Sequence, residues 1–387
     1  MKKTVLILPF FILWLNAPGQ EAESGQSESA EPLKGQPFLQ LICHTGVYWS
    51  RTEYLKEQFA DGYRAIDARF GIQTTGKKYW HQIHKFPQYG IGVHYADLVR
   101  DPGDTVMGNP ISAFGFYSAP WARFGRFSFN TDMALGLSYA SRIHDPETNP
   151  YNDVIASHIN LFFDFNFNLG MELGKRWDLN VGYGVTHYSN GKIHEPQKGV
   201  NNWGWSFGLS RLFSNQSNPA VRAEFIHTHY PEFQSYEEIQ IVYAAGVMDW
   251  HPLGLKVGQH YFTSSLTVDY AVRYSYRSAV TVGVDLLYDG SLERFIEGIP
   301  MEDVATFQKT YLAGHLGYQF IVDRVTILIN LGTYFLQHSY DRGFIYSRWG
   351  GRVRLTDHLH TNICIKTKNG VRSDWIEWGL AYTLKVR

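Results

Sequence analysis

Residues 159–173 alternate almost without a break. Ile159, Leu161, Phe163, Phe165, Phe167, Leu169, Met171 and Leu173 fall on one face of an extended chain. Asn160, Asp164, Asn166, Asn168, Gly170 and Glu172 fall on the other, with Phe162 the single apolar intruder. Side chains of a strand point alternately to its two faces, so this stretch makes a strand with one wholly apolar side. A soluble sandwich seldom sustains eight consecutive large apolar positions on one side. A strand that faces lipid outward and a polar lumen inward does. The same dyad recurs at 127–139, 266–276, 280–288, 325–335 and 376–386. The fold this implies is all-β: a transmembrane antiparallel β-barrel of about 16 strands, within a range of about 14 to 18, spanning residues 37–387.

The connections point the same way. Alternate ones are short, at Arg123–Arg126, Glu172–Trp177, Tyr276–Ser278, Val322–Arg324 and Asp357–His358. The others are longer and polar, at 142–156, 191–200, 250–258, 290–305 and 368–373. Short turns on the periplasmic side and long loops outside are the expected asymmetry. The stretch Asn215–Tyr236 falls on the short side and is too long for it; an insertion or an unrecognised strand pair around Val221–His229 is the expected reason.

Ahead of the strands, Lys2 and Lys3 precede the apolar run Val5–Leu15 and then small or polar residues, the layout of a secretory signal peptide over residues 1–20. Residues 21–36 are acidic and Ser-rich, and read as a disordered leader. The location these features imply is the bacterial outer membrane. A formal net charge of −1 argues against a general nucleic-acid binder. Cys43 and Cys364 are too few for a disulfide scaffold and read as isolated wall residues. The inward carboxylates Asp132, Asp164, Glu172, Asp269 and Asp285 read as braces of the interior. The pairs His227/His229 and His358/His360 have no partner cluster that would make a metal site. Trp80, His81, His84 and Tyr89 read as an interfacial aromatic belt.

One strand departs from the pattern. Leu179, Val181, Tyr183 and Val185 share their face with His187 and Ser189, so a base and a nucleophile continue an apolar row. After a loop holding Pro196 and Gly199, Asn201 leads a second row through Trp203, Trp205, Phe207 and Leu209. Paired as a hairpin, the two strands bring Asn201 opposite His187 and Ser189. A serine hydroxyl attacks only when a base takes its proton; His187 is placed to do so, and the Asn201 carbonyl to hold the imidazole. Asn190 and Gly191 follow directly and are the candidate oxyanion donors. With the C-terminus in the periplasm, this site lies at the outer-leaflet level and faces lipid. No metal or other cofactor is called for by these residues.

The run His187-Tyr188-Ser189-Asn190-Gly191, with Pro196, Gly199 and Asn201, resembles the signature of the outer-membrane lipid A deacylases. That resemblance implies a β-barrel esterase removing the 3-O-linked acyl chain of lipid A. It gives His187 and Ser189 the catalytic roles and Asn190 the oxyanion role. Twelve residues after the serine the family has Glu, where this chain has Asn201. The outer-membrane phospholipases A are similar at the same residues and carry Asn at that place, which would imply a phospholipid substrate, calcium and dimerisation. The chain is much longer than the small deacylase barrels. A passive channel or structural barrel is the non-enzymatic alternative.

Overall fold

The computed structural model describes residues 35–49, 62–98, 106–196, 198–213, 225–250, 259–294, 303–339 and 341–386. The expected signal peptide and nearly all of the leader lie outside them. Among these described residues sixteen strands form. They are β1 (Gln36–Tyr48), β2 (Tyr63–Gln73), β3 (Gln88–Asp97), β4 (Ile111–Phe124), β5 (Phe127–Tyr139), β6 (Ile159–Glu172), β7 (Trp177–Ser189) and β8 (Val200–Leu212), followed by β9 (Tyr236–Trp250), β10 (Gln259–Ser275), β11 (Ser278–Asp289), β12 (Thr310–Val322), β13 (Val325–Leu336), β14 (Ile345–Arg354), β15 (Leu359–Lys368) and β16 (Arg372–Lys385). A short helix, α1 (Tyr79–Ile83), lies between β2 and β3. No helix among the described residues is long and apolar enough to cross a membrane.

The strands do not close as one ring. β8 pairs back onto β1, and β16 pairs back onto β9, giving two antiparallel barrels of eight strands each. The single 16-strand ring expected from the sequence is corrected on this point. Eight-strand closure needs strong coiling, and glycine permits the backbones to approach where it occurs. Gly46 lies opposite Gly204 across the first seam, and a Cβ on Gly46 would stand 2.0 Å from the Trp203 carbonyl oxygen. The misfit at Asn215–Tyr236 also resolves, because it belongs to the passage from β8 to β9. Residues 225–235 contain no strand, so the expected strand pair does not form there; 214–224 lie outside the described residues.

Facing follows the alternation. Leu41, Trp205 and Phe207 of the first barrel and Tyr243, Val282 and Leu331 of the second are exposed on the outside, while Asp, Arg, His, Ser and Thr are buried inside. An eight-stranded interior is just wide enough for side chains to fill. In the first barrel Arg69 donates to Asp67 and to Asp132, both at 2.8 Å, and lies 3.7 Å from Asp164. In the second, His315 bridges Asp285 at 2.7 Å and Asp269 at 2.9 Å, and Arg348 reaches Glu377 at 2.6 Å. Four of the expected bracing carboxylates, Asp132, Asp164, Asp269 and Asp285, therefore sit in ion pairs. Cys43 is exposed and Cys364 buried, and both are free thiols.

The two barrels touch at the short-turn end through α1. Trp80 packs with Tyr117 and Val322 in a buried cluster, and His84 Nε2 donates to the Ile321 carbonyl at 2.9 Å. The residues expected to form an aromatic belt thus include Trp80, His81 and His84 as buried residues. Burial pushes the His84 imidazole down to about 4. Its folded value lies below the unfolded one, so the contact is fully stable above pH 6.5 and weakens as pH falls towards about 4. Complete protonation would cost about 3 kcal/mol. Tryptophan fluorescence followed from pH 7.5 to 4 should report this loosening, and His84→Gln should flatten the response.

Candidate functional site

The strand carrying the candidate base and nucleophile is locked from both sides. β7 pairs with β6 so that Phe163 lies opposite His187 and Leu161 opposite Ser189. It pairs with β8 so that His187 lies directly opposite Asn201. Asn201 is held in turn from the end of β1, since its carbonyl accepts from the backbone N–H of Trp49, the residue after that strand, at 2.8 Å. These registers put His187 and Asn201 together on the outer face: His187 Nδ1 and Asn201 Oδ1 are 2.7 Å apart. An amide oxygen accepts only, so Nδ1 carries the proton and Nε2 keeps its lone pair. Next to them stand the outward side chains of Phe163, Leu161 and Trp203. His187 is half-buried and Ser189 is buried.

Gly199 closes over the pair. It has a positive φ of 69°, and a Cβ there would lie 2.9 Å from His187 Cε1 and 3.4 Å from Ser189 Cβ. The same backbone therefore borders both side chains. Its N–H donates to the Val154 carbonyl at 3.2 Å, fixing it from the 140–158 loop. Gly199→Ala should fail on two grounds, an L-residue at left-handed φ and a methyl pressed on the imidazole. The expected result is activity about tenfold or more below wild type with the barrel still folded, measured as ester hydrolysis beside heat-modifiable gel mobility.

Asn190 and Gly191 begin the β7–β8 loop. The Asn190 carboxamide donates to the His194 carbonyl at 2.9 Å and accepts from the Lys192 N–H at 3.0 Å, so it shapes the turn. Gly191 has φ 63° and Lys192 φ 72°. Burial pushes the Lys192 ammonium below its ordinary value, opposed first by Asp374 and then by Glu195, the latter 3.8 Å away.

Behind the strand is a group the sequence did not single out. Tyr188 lies between His187 and Ser189 and points inward, fully buried. Its hydroxyl is 2.7 Å from His94 Nε2, and His94 Nδ1 binds Asp67. The end of β7 is thereby pinned from inside while its two neighbours face out. Alternation placed Tyr188 inward, but only the long-range pairing of strands finds its partner. His44, Asp67 and His94 form the one group with metal-ligand spacing among the described residues. Arg69 already pairs with that carboxylate, and the group belongs to the charge network of the lumen. His227, exposed in the β8–β9 connection, sets its ring edge on Phe86, and His358 Nδ1 meets the Thr383 carbonyl.

Two family models match the chain, and their limits follow the two barrels. Residues 65–210 match "Lipid A 3-O-deacylase (PagL)", and residues 237–386 match "Acyloxyacyl hydrolase, C-terminal domain". The chain belongs to the lipid A 3-O-deacylase family. The length beyond a small deacylase barrel is the second barrel, which the second of these models matches. No curated protein matches the chain. Similar solved structures include CdiB from Acinetobacter baumannii, at 11% identity and TM-score 0.19, covering 91% of this chain and 60% of that one. The siderophore receptor PirA from Acinetobacter baumannii follows at 9% identity and TM-score 0.20, covering 89% and 44%. The toluene transporter TodX from Pseudomonas putida gives 8% identity and TM-score 0.18, covering 92% and 90%. This chain therefore spans less than two thirds of the first two.

Proposed function

We propose that the chain is an outer-membrane serine esterase that hydrolyses the 3-O-linked acyl ester of lipid A, at a site of Ser189, His187 and Asn201 facing the outer leaflet. The observation that carries this reading is the 2.7 Å contact between His187 Nδ1 and Asn201 Oδ1 on the apolar outer face of a deacylase-family barrel. Ser189 Oγ attacks the ester carbonyl carbon as His187 Nε2 takes its proton. Asn201 holds the tautomer and orientation of the ring. The negative charge on the former carbonyl oxygen is met by N–H groups of Asn190 and Gly191. Collapse breaks the bond to the sugar oxygen, which leaves with the proton from His187. A water then repeats the sequence on the acyl-serine and frees the fatty acid. None of these steps calls on a metal.

A soluble enzyme would need to lift the acyl chain from the bilayer. Here the ester is met at its own depth, beside Leu161, Phe163 and Trp203. The signal peptide reading of residues 1–20 fits export to this location. The packed interiors of both barrels weigh against a passive channel.

Phospholipase A activity is the second reading, favoured by Asn201, which that enzyme family also carries. Purified protein in detergent should be given lipid A and a diacyl glycerophospholipid separately, each with calcium and with a chelator. Release of a 3-hydroxy fatty acid from lipid A, unaffected by chelation, is the expected result. Calcium-dependent release from the phospholipid alone would replace the deacylase reading with the other.

A further inference from the structure

The second barrel repeats the layout of the first around the candidate site. Its seventh strand, β15, also ends at an Asn-Gly turn, with Gly370 at φ 79° where Gly191 has 63°. Its eighth strand, β16, carries Trp378-Gly379 where β8 carries Trp203-Gly204. Both of these glycines press on the first strand of their barrel: a Cβ would lie 2.2 Å from the Thr45 carbonyl oxygen in one and 2.1 Å from that of Tyr243 in the other. Val185 pairs with Trp203, and two residues further along β7 His187 pairs with Asn201. Ile363 pairs with Trp378, and two residues further along β15 Ile365 pairs with Ile376. In the same register the position of Ser189 is held by Thr367, whose hydroxyl is 2.8 Å from Ser347 Oγ of β14; a bulge between Lys366 and Thr367 sets the Asn-Gly turn one residue further on. Ile365 and Ile376 stand where the base and its orienter would be, so nothing there could take a proton from the Thr367 hydroxyl.

Those isoleucines are nevertheless covered. Ile376 lies on the outward face of β16, where Leu380 is 52% exposed, yet Ile376 is only 4% exposed. A Cβ on Gly191 would lie 2.5 Å from Ile376 Cδ1, with Ile365 Cδ1 at 3.9 Å. The same loop is fastened to the end of β9: the Asp249 N–H donates to the Lys192 carbonyl at 2.9 Å, and the Glu195 N–H donates to Asp249 Oδ2 at 3.1 Å. The rings of His194 and His260 meet edge to face at 5.5 Å.

We propose that the second barrel is a catalytically silent copy of the first, and that its former site, the Ile365–Ile376 pair with Asp249, is the seat that holds the loop after Ser189 in its working position. This rests on the esterase reading above. Ile376 and Asp249 are positioning residues: they touch no substrate, but fix the turn of Asn190 and Gly191 whose N–H groups meet the oxyanion. A displaced turn weakens transition-state binding without altering how the acyl chain docks.

The test uses the full chain in detergent with lipid A. Asp249→Ala and Ile376→Ala should each lower kcat about tenfold and leave KM unchanged within experimental scatter, with heat-modifiable mobility retained. Asp249→Asn, which keeps an acceptor oxygen for Glu195, should recover most of the rate. Amide hydrogen exchange over 190–196 provides a readout independent of activity, and protection there should fall in Asp249→Ala. Wild-type kcat in both alanine variants would overturn the proposal. Unchanged exchange would overturn the seat itself. A wild-type protein with no Ser189-dependent release would instead sink the esterase reading, with the exchange result still deciding whether the loop is seated.

Discussion

Ser189→Ala is expected to lower release of fatty acid from lipid A by about 10³-fold or more, leaving the barrel intact. In the proposed mechanism its hydroxyl is the group that becomes acylated, and its cross-strand company on the outer face is apolar: Leu161 lies opposite it and Phe163 opposite His187. His187→Ala should cost about as much, and the double variant no more than either, because nucleophile and base act as one unit. Asn201→Ala should cost less, about 10- to 100-fold. Its oxygen fixes the ring through one 2.7 Å hydrogen bond, but a neutral amide stabilises the imidazolium less than a carboxylate, so less is lost with it. Initial rates on purified variants at matched detergent concentration measure all four. A Ser189→Ala rate above a tenth of wild type would place the nucleophile elsewhere.

Arg69→Leu is expected to be the most destabilising single change in the first barrel, by about 3–5 kcal/mol. The guanidinium is buried, pairs with Asp67 and Asp132 and faces Asp164. It also lies over the rings of Phe114 and Phe116, 5.2 and 5.1 Å from their centroids. Its removal leaves three buried carboxylates with, among the described residues, His44 and His94 beside Asp67 to oppose them. An uncompensated buried charge costs far more than a surface ion pair is worth. Adding Asp132→Leu should restore part of the loss, since it removes one orphaned charge and fills space. Urea titration of the protein refolded in lipid vesicles measures both. Loss below about 1 kcal/mol for Arg69→Leu would mean that water fills the lumen.

Much of this was legible from alternation. A period of two assigns each residue to a face, which sends His187 and Ser189 outward and Asp132 and Asp164 inward. The hairpin of β7 and β8 is local, so His187 opposite Asn201 followed from the length of one loop. Ring closure did not follow. Whether β8 turns back to β1 or passes on to a ninth strand depends on pairing between residues some 160 apart, such as Cys43 with Phe207, and alternation is the same either way. The clue lay in the overlong connection at Asn215–Tyr236, on the side where every other turn but one is short. The partners of the loop were hidden for the same reason: Asp249 and Ile376 belong to the other barrel, and neither carries a motif.

Mass spectrometry of lipid A from cells expressing the full chain or Ser189→Ala tests the central claim most directly. The expected result is lipid A lighter by one 3-O-linked hydroxyacyl chain with the wild type, and unchanged lipid A with Ser189→Ala at equal levels of folded barrel. Full-length lipid A with the wild type, or the same loss with Ser189→Ala, would contradict it.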